Sequence, residues 1–177
     1  LEIDSGGGSG VAGQEVAEAL KRANKPTVAL IRGAGLSAAY WAATGADYII
    51  ASDVSDVGSI GVTSSYLGYS DKNERDGVVF YPLSLGKFKD MGNPDKSITE
   101  EERQLMMRDV KIVYDSFVTS VSKNRKLDIE KVKKLADGSS MMGQMAKENG
   151  LIDKVGNIYD AEDYLAEKIG EEPFICQ

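Results

Sequence analysis

The 177-residue chain contains no histidine, yet Ser37 stands in a setting suited to nucleophilic attack. It lies in Arg32-Gly33-Ala34-Gly35-Leu36-Ser37-Ala38-Ala39-Tyr40-Trp41, where a glycine-rich turn leads into a run that reads as a helix. A serine there exposes its hydroxyl, and the helix N-terminus favours developing negative charge. The small Ala38 and Ala39 leave room for a peptide over the backbone. Without histidine, no Ser-His-Asp triad forms within the chain. Acyl chemistry at Ser37 needs another base, and lysine is the choice that remains. Ser37 also reads as a plain helix N-cap, and the local residues leave both readings open.

The turn Ser5-Gly6-Gly7-Gly8-Ser9-Gly10 follows a short strand, Leu1 to Asp4. It has three readings. One is a flexible strand-to-helix connection. A second is a dinucleotide site, because Gly8-Ser9-Gly10-Val11-Ala12-Gly13 matches GxGxxG. The acidic residue expected about 20 positions on is missing, although Arg32 would suit a 2′-phosphate. The third is an oxyanion-hole turn, since glycines let the backbone approach a substrate and point N–H groups into the site. The density of glycines favours the third.

The elements that must position these residues follow from periodicity. Val11, Val16, Ala19 and Leu20 recur at helical spacing. Lys25-Pro26 closes that helix and opens a strand, Thr27 to Ile31. Ser37 to Thr44 reads as a second helix, Tyr48 to Ala51 as a buried strand, and Ile60 to Thr63 and Val78 to Leu83 as two more. Apolar strands alternating with helices predict an α/β fold with parallel pairing. The second half is helical: Thr99-Glu100-Glu101-Glu102 has the form of a capping box. Met106, Val110, Val113, Phe117 and Val121 form one apolar stripe behind it, a core face or a subunit interface. Asp128 caps a helix with Ile129, Val132 and Leu135, Gly150 ends another, and Asp160 starts a last one.

The totals narrow the classes. The length predicts one domain, residues 1–177. A net charge of −7 argues against a nucleic-acid partner. The single Cys176 excludes an intrachain disulfide framework, and as a catalytic thiol it would again lack a histidine. Histidine-based metal sites are excluded, no tight carboxylate cluster replaces them, and no cofactor is expected. No stretch approaches the ~20 apolar residues of a membrane span, and no signal peptide is visible. The start at Leu1-Glu2-Ile3-Asp4 reads as the end of a strand, so the chain is expected to be a fragment.

Four segments occur in order: Asp4-Ser5-Gly6-Gly7-Gly8-Ser9, Ser37-Ala38-Ala39-Tyr40-Trp41, Gly58-Ser59-Ile60-Gly61-Val62 and Gly86-Lys87-Phe88-Lys89-Asp90. Together they resemble the signal peptide peptidase A family of Ser-Lys proteases, and nearly as closely the related bacteriophage head proteases. The resemblance extends through Ile98 to Glu102 and Gly143 to Asp153. It implies a Clp protease/crotonase-like α/β fold of repeated β-β-α units, with a largely parallel sheet and a helical C-terminal half. The family's early strands, and any upstream membrane anchor, would precede Leu1.

The resemblance also implies roles. Ser37 matches the nucleophile and Lys89 the general base, with Lys87 wrong by spacing. Ser59 matches the hydroxyl that orients the lysine, and the N–H groups of Gly7 and Ala38 match the oxyanion donors. Glycine stands where the family usually has proline at position 6, and alanine where it often has glycine at 38 and 39. The implied activity is cleavage of signal peptides, or other small and apolar peptide segments, through an acyl-enzyme. A silent scaffold of the same fold and a dinucleotide-dependent oxidoreductase remain as alternatives. Implied partners are peptide or protein substrates and further copies of the chain in a ring or dome. Implied location is a membrane-anchored domain outside the cytoplasm. A lysine base must be neutral to work, and its reference pKa is near ~10.4, so Lys89 is expected to be buried or otherwise disfavoured as a cation, and kept from carboxylates. Asp90, adjacent to Lys89, is therefore expected to point away.

Overall fold

A computed structural model describes residues 1–173; Cys176 lies outside the described residues. The elements are β1 (Glu2–Ser5), α1 (Gly10–Lys21), β2 (Val28–Leu36), α2 (Ala38–Ala43), β3 (Tyr48–Ala51), β4 (Asp56–Gly58), α3 (Ser70–Arg75), α4 (Glu100–Arg125), α5 (Ile129–Leu135), β5 (Ser140–Met142), α6 (Gly143–Asn149), β6 (Lys154–Val155) and α7 (Ile158–Ile169). The chain forms two compact units: residues 1–61 with 114 onward, and residues 62–113.

The first unit is α/β. Its six-stranded sheet runs β5-β4-β2-β3-β6, with β1 also paired to β2. Every pairing is parallel except β4 with β5. The alternation of apolar strands and helices predicts this, because crossover helices cover the faces of a parallel sheet. Ile31, Ile49, Val57 and Ile60 from the sheet side pack with Tyr40, Phe117 and Val121 from the helices.

Three expectations are corrected here. Residues 60–63 form no strand; Asp56–Gly58 does instead, paired with Ala34–Leu36 at the far end of β2. The buried face of α1 is Gly13 and Ala17, while Val11 and Val16 are exposed. A methyl group at Gly13 would collide with the Ala38 carbonyl, so α1 packs on α2 through its smallest residues rather than its largest. Helix α7 begins at an Asn157 cap, with Asp160 closing the capping box three residues later.

The second unit is held by polar contacts. Thr99 and Glu102 form the expected box: Glu102 N–H donates to Thr99 Oγ1 at 3.2 Å, and Thr99 N–H donates to Glu102 Oε2 at 3.0 Å. Residues 78–83 are not a strand. Pro82 cannot donate to a ladder, and Val78, Val79, Tyr81 and Leu83 are exposed. The apolar stripe of α4 divides accordingly. Phe117 and Val121 are core of the first unit, while Val113, in the second, is exposed.

Candidate active site

Ser37 terminates β2 and caps α2 with φ 52° and ψ −125°. A non-glycine residue there is strained by about 1–3 kcal/mol and persists only where its surroundings over-determine it. The surroundings do so. Ser37 N–H donates to Gly58 O at 2.8 Å, tying the end of β2 to the end of β4, and Trp41 N–H donates to Ser37 O at 2.9 Å. Three further contacts fix α2. Tyr40 Oη donates to Leu151 O at 2.8 Å, Asn124 Nδ2 donates to Thr44 Oγ1 at 2.9 Å, and Trp41 stacks on Phe117 at 4.7 Å. Burial pushes the Tyr40 hydroxyl well above the usual phenol range. Behind it, Arg125 donates twice to Asp153, at 2.9 and 2.7 Å, and Asp153 also accepts from Ile49 N–H at 2.7 Å. The Ser37 hydroxyl makes no capping hydrogen bond, so it occupies the N-cap position without doing the N-cap's work.

The glycine turn reaches Ser37 through an irregularity. Between Ile3 and Ser5 the β1–β2 register shifts, and Asp4 Oδ1 accepts from Ala34 N–H at 2.9 Å. That directs Gly7, at φ 107°, onto the start of α2. A Cβ at Gly7 would lie 2.7 Å from Ser37 Cβ and 3.1 Å from Ala38 N, so the approach requires glycine. The Ala38 N–H is the first of α2, and no intrahelical carbonyl can accept it. The Gly7 N–H donates to Ser5 Oγ at 3.2 Å, a bond an incoming oxygen would have to replace. A Cβ at Gly6 would meet nothing within 4 Å. Beside the turn is a pocket of about 190 Å³, lined by uncharged residues that include Ala12, Val16, Ala39 and Ala42.

Ser59, at φ 49°, follows Gly58 at the end of β4. Its N–H donates to Ser139 O at 3.0 Å and its hydroxyl donates to Gly138 O at 3.1 Å. The hydroxyl oxygen keeps its lone pairs to accept from an amine. Ser37, Ala38, Gly7 and Ser59 thus share the carboxyl ends of parallel strands, where open α/β sheets bind ligands.

Lys89 belongs to the second unit, in a turn where its N–H donates to Gly86 O at 3.0 Å. Its side chain is exposed, which corrects the expectation that burial would disfavour its cation, and it has no ion-pair partner among the described residues. Lys87 is paired with Glu101 at 2.6 Å. Asp90 accepts from Lys96 Nζ at 3.1 Å, and Lys96 also donates to Glu102 at 2.5 Å. The Lys96 hydrogen bond, and then the Thr99 N–H, hold the Glu102 carboxyl below the usual carboxylate range.

Sequence reasoning missed Gly58 and Gly138 as carbonyl partners of the two serines, because those contacts join distant segments. It also missed Lys96. The adjacency of Asp90 and Lys89 signalled that something must hold the carboxylate.

The chain is similar in sequence to known proteins. A protein named signal peptide peptidase SppA in Enterococcus faecium is 37% identical over 168 residues, covering 93% of this chain and 49% of that protein. Protease 4 of Salmonella typhi is 32% identical over 170 residues, 94% of this chain and 27% of its own length. Capsid assembly protease C of Escherichia phage lambda is 26% identical over 163 residues, 91% of this chain and 37% of its own. The chain therefore spans about half the length of these relatives, or less. The model of peptidase family S49 matches residues 19–171, which takes in Ser37, Ser59 and Lys89. The chain belongs to peptidase family S49.

Proposed function

We propose that the chain is the catalytic part of a serine endopeptidase with a Clp protease/crotonase-like fold, using Ser37 as nucleophile and Lys89 as general base. The observation that carries this is Ser37 itself: a strained serine with an uncapped hydroxyl, beside a glycine that must approach it. Family membership supplies the reaction class.

In the proposed mechanism Lys89, as the neutral amine, takes the Ser37 Oγ proton while Oγ bonds to the scissile carbonyl carbon. The N–H groups of Gly7 and Ala38 receive the oxyanion. The carbon–nitrogen bond then breaks, and the Lys89 ammonium returns its proton to the leaving amine. Water, deprotonated by the same amine, then bonds to the acyl carbon, the bond from that carbon to Ser37 Oγ breaks, and the Lys89 ammonium returns the proton to Oγ. Ser59 accepts one amine hydrogen and leaves the lone pair for Ser37.

The uncharged 190 Å³ pocket supports apolar side chains of modest size at the scissile bond, as in signal peptides. A cavity of ~150 Å³ already holds benzene. The exposed side chains of Val78, Val79, Tyr81, Leu83 and Leu85 support self-association into a ring or dome, since Leu83 and Leu85 are 98% and 96% exposed. Among the described residues no helix is long and apolar enough to cross a membrane.

Fluorophosphonate labelling and cleavage of an apolar peptide test the reading. Ser37→Ala and Lys89→Ala should each lose about 10⁴-fold or more in kcat/KM, and the double variant little beyond either. The wild-type rate should rise into the alkaline range. Near-normal cleavage by Lys89→Ala would sink the assignment. Labelling that is absent in the folded wild type would favour a silent scaffold.

A further inference from the structure

A lysine that serves as a base is spoiled by a neighbouring carboxylate, and Lys89 is followed directly by one. An opposite charge within about 4–6 Å stabilises an ammonium by one to three pH units, which removes the neutral amine from the working range. Asp90 would be that charge unless something engages it.

We propose that Lys96 is a positioning residue for the base: it binds the Asp90 carboxylate and offsets its charge, leaving the Lys89 amine unpaired. This rests on the reading of Lys89 as the base. Lys96 is itself well held. Its ammonium donates to Asp90 Oδ1 at 3.1 Å and to Glu102 Oε1 at 2.5 Å. Glu102 is only 3% exposed, and the Thr99 backbone N–H and hydroxyl both donate to it at the start of α4. The one lysine faces two carboxylates. The Glu102 charge sits at the N-terminus of a 26-residue helix, where the helix dipole compensates it. The other charged groups nearby have partners of their own: Lys87 with Glu101 at 2.6 Å, and Asp95 with Asn73 Nδ2 at 3.0 Å. The capping box and the base are thus linked through one side chain. Helix α4 fixes Glu102, Glu102 fixes Lys96, and Lys96 holds Asp90.

The test is the pH dependence of fluorophosphonate labelling and of apolar-peptide cleavage, measured on the whole protein. Lys96→Met should release Asp90 and move the ascending limb of the rate upward by about one pH unit. The rate along that limb would fall about tenfold, with the alkaline plateau kept. Lys96→Arg should leave the limb in place. Adding Asp90→Asn to Lys96→Met should return it, although Glu102 still lacks its partner. A merely structural role for Lys96 predicts lower activity at every pH and no rescue by Asp90→Asn. An unmoved limb in folded Lys96→Met, or an unrescued double variant, overturns the proposal. Should Lys96→Met not fold, Asp90→Asn alone decides. Its limb should stay where it is, and a downward shift of about one unit would mean that Asp90 acts on Lys89 despite Lys96. Lys89→Ala keeps the two failures apart. If it is inactive while the Lys96→Met limb is unmoved, only the Lys96 proposal fails. If it is active, the base assignment fails and takes this proposal with it.

Discussion

The residues around Ser37 and those around Lys89 are held by different physics. Ser37 sits on a packed sheet. Its strain is contained by the Gly58 carbonyl, by the buried Tyr40 hydroxyl and by the Trp41–Phe117 stack. The 62–113 unit that carries Lys89 has one short helix besides the start of α4, exposes Leu83 and Leu85, and relies on the Asp90–Lys96–Glu102 and Thr99 contacts. A nucleophile gains from a rigid seat, because attack tolerates little misplacement. A lysine base needs instead an environment that withholds anions, and a polar brace can provide that without a deep core. The difference teaches that the two halves of the proposed dyad would tolerate opposite kinds of substitution: volume changes should matter near Ser37, and charge changes near Lys89.

The hardest way to break the contrast is to add volume under Ser37. Gly13→Val would push on the Ala38 carbonyl, where there is no room even for a methyl group. A loss of about 3 kcal/mol is expected in urea titrations, the upper range for overpacking, together with loss of labelling at Ser37. A stable and active Gly13→Val protein would mean that the packing of α1 on α2 is softer than described. A gentler probe is Ser59→Ala. Only the hydroxyl bond to Gly138 is removed, so stability should change by about 1 kcal/mol. The rate near neutral pH should fall on the order of 10²-fold if that hydroxyl aims the base. Equal rates in steady-state assays would return Ser59 to a purely structural part. The smallest expected effect on folding is Leu83→Ser with Leu85→Ser. Both side chains are exposed within the chain, so the melting profile should move by no more than about 0.5 kcal/mol. Sedimentation should nevertheless show weaker self-association, and an unchanged oligomer would place the contact elsewhere.

Much of the first unit was legible in the sequence, for identifiable reasons. Apolar runs bounded by glycine and proline marked β2 and β3, and parallel pairing followed from the helices between them. The Thr99–Glu102 box and the Asp128 cap were legible because capping is local chemistry. Residues 78–83 misled because an apolar run says that burial is wanted, not that a strand edge waits for it. The face of α1 misled because the decisive contact uses glycine, which hydrophobic periodicity does not count. Ser37 was singled out by the turn before it and the small residues after it. The Ser59–Gly138 bond spans 79 residues and leaves no local trace.

The aromatic stack under α2 also makes the molecule self-reporting. Trp41 is the only tryptophan in the chain, it is buried, and it lies four residues from the serine on the same short helix. Intrinsic emission excited at the indole band therefore comes from one place, the floor of the candidate site. A red shift of that emission would announce the loss of the seat of Ser37 without a label, even while the rest of the chain kept its secondary structure.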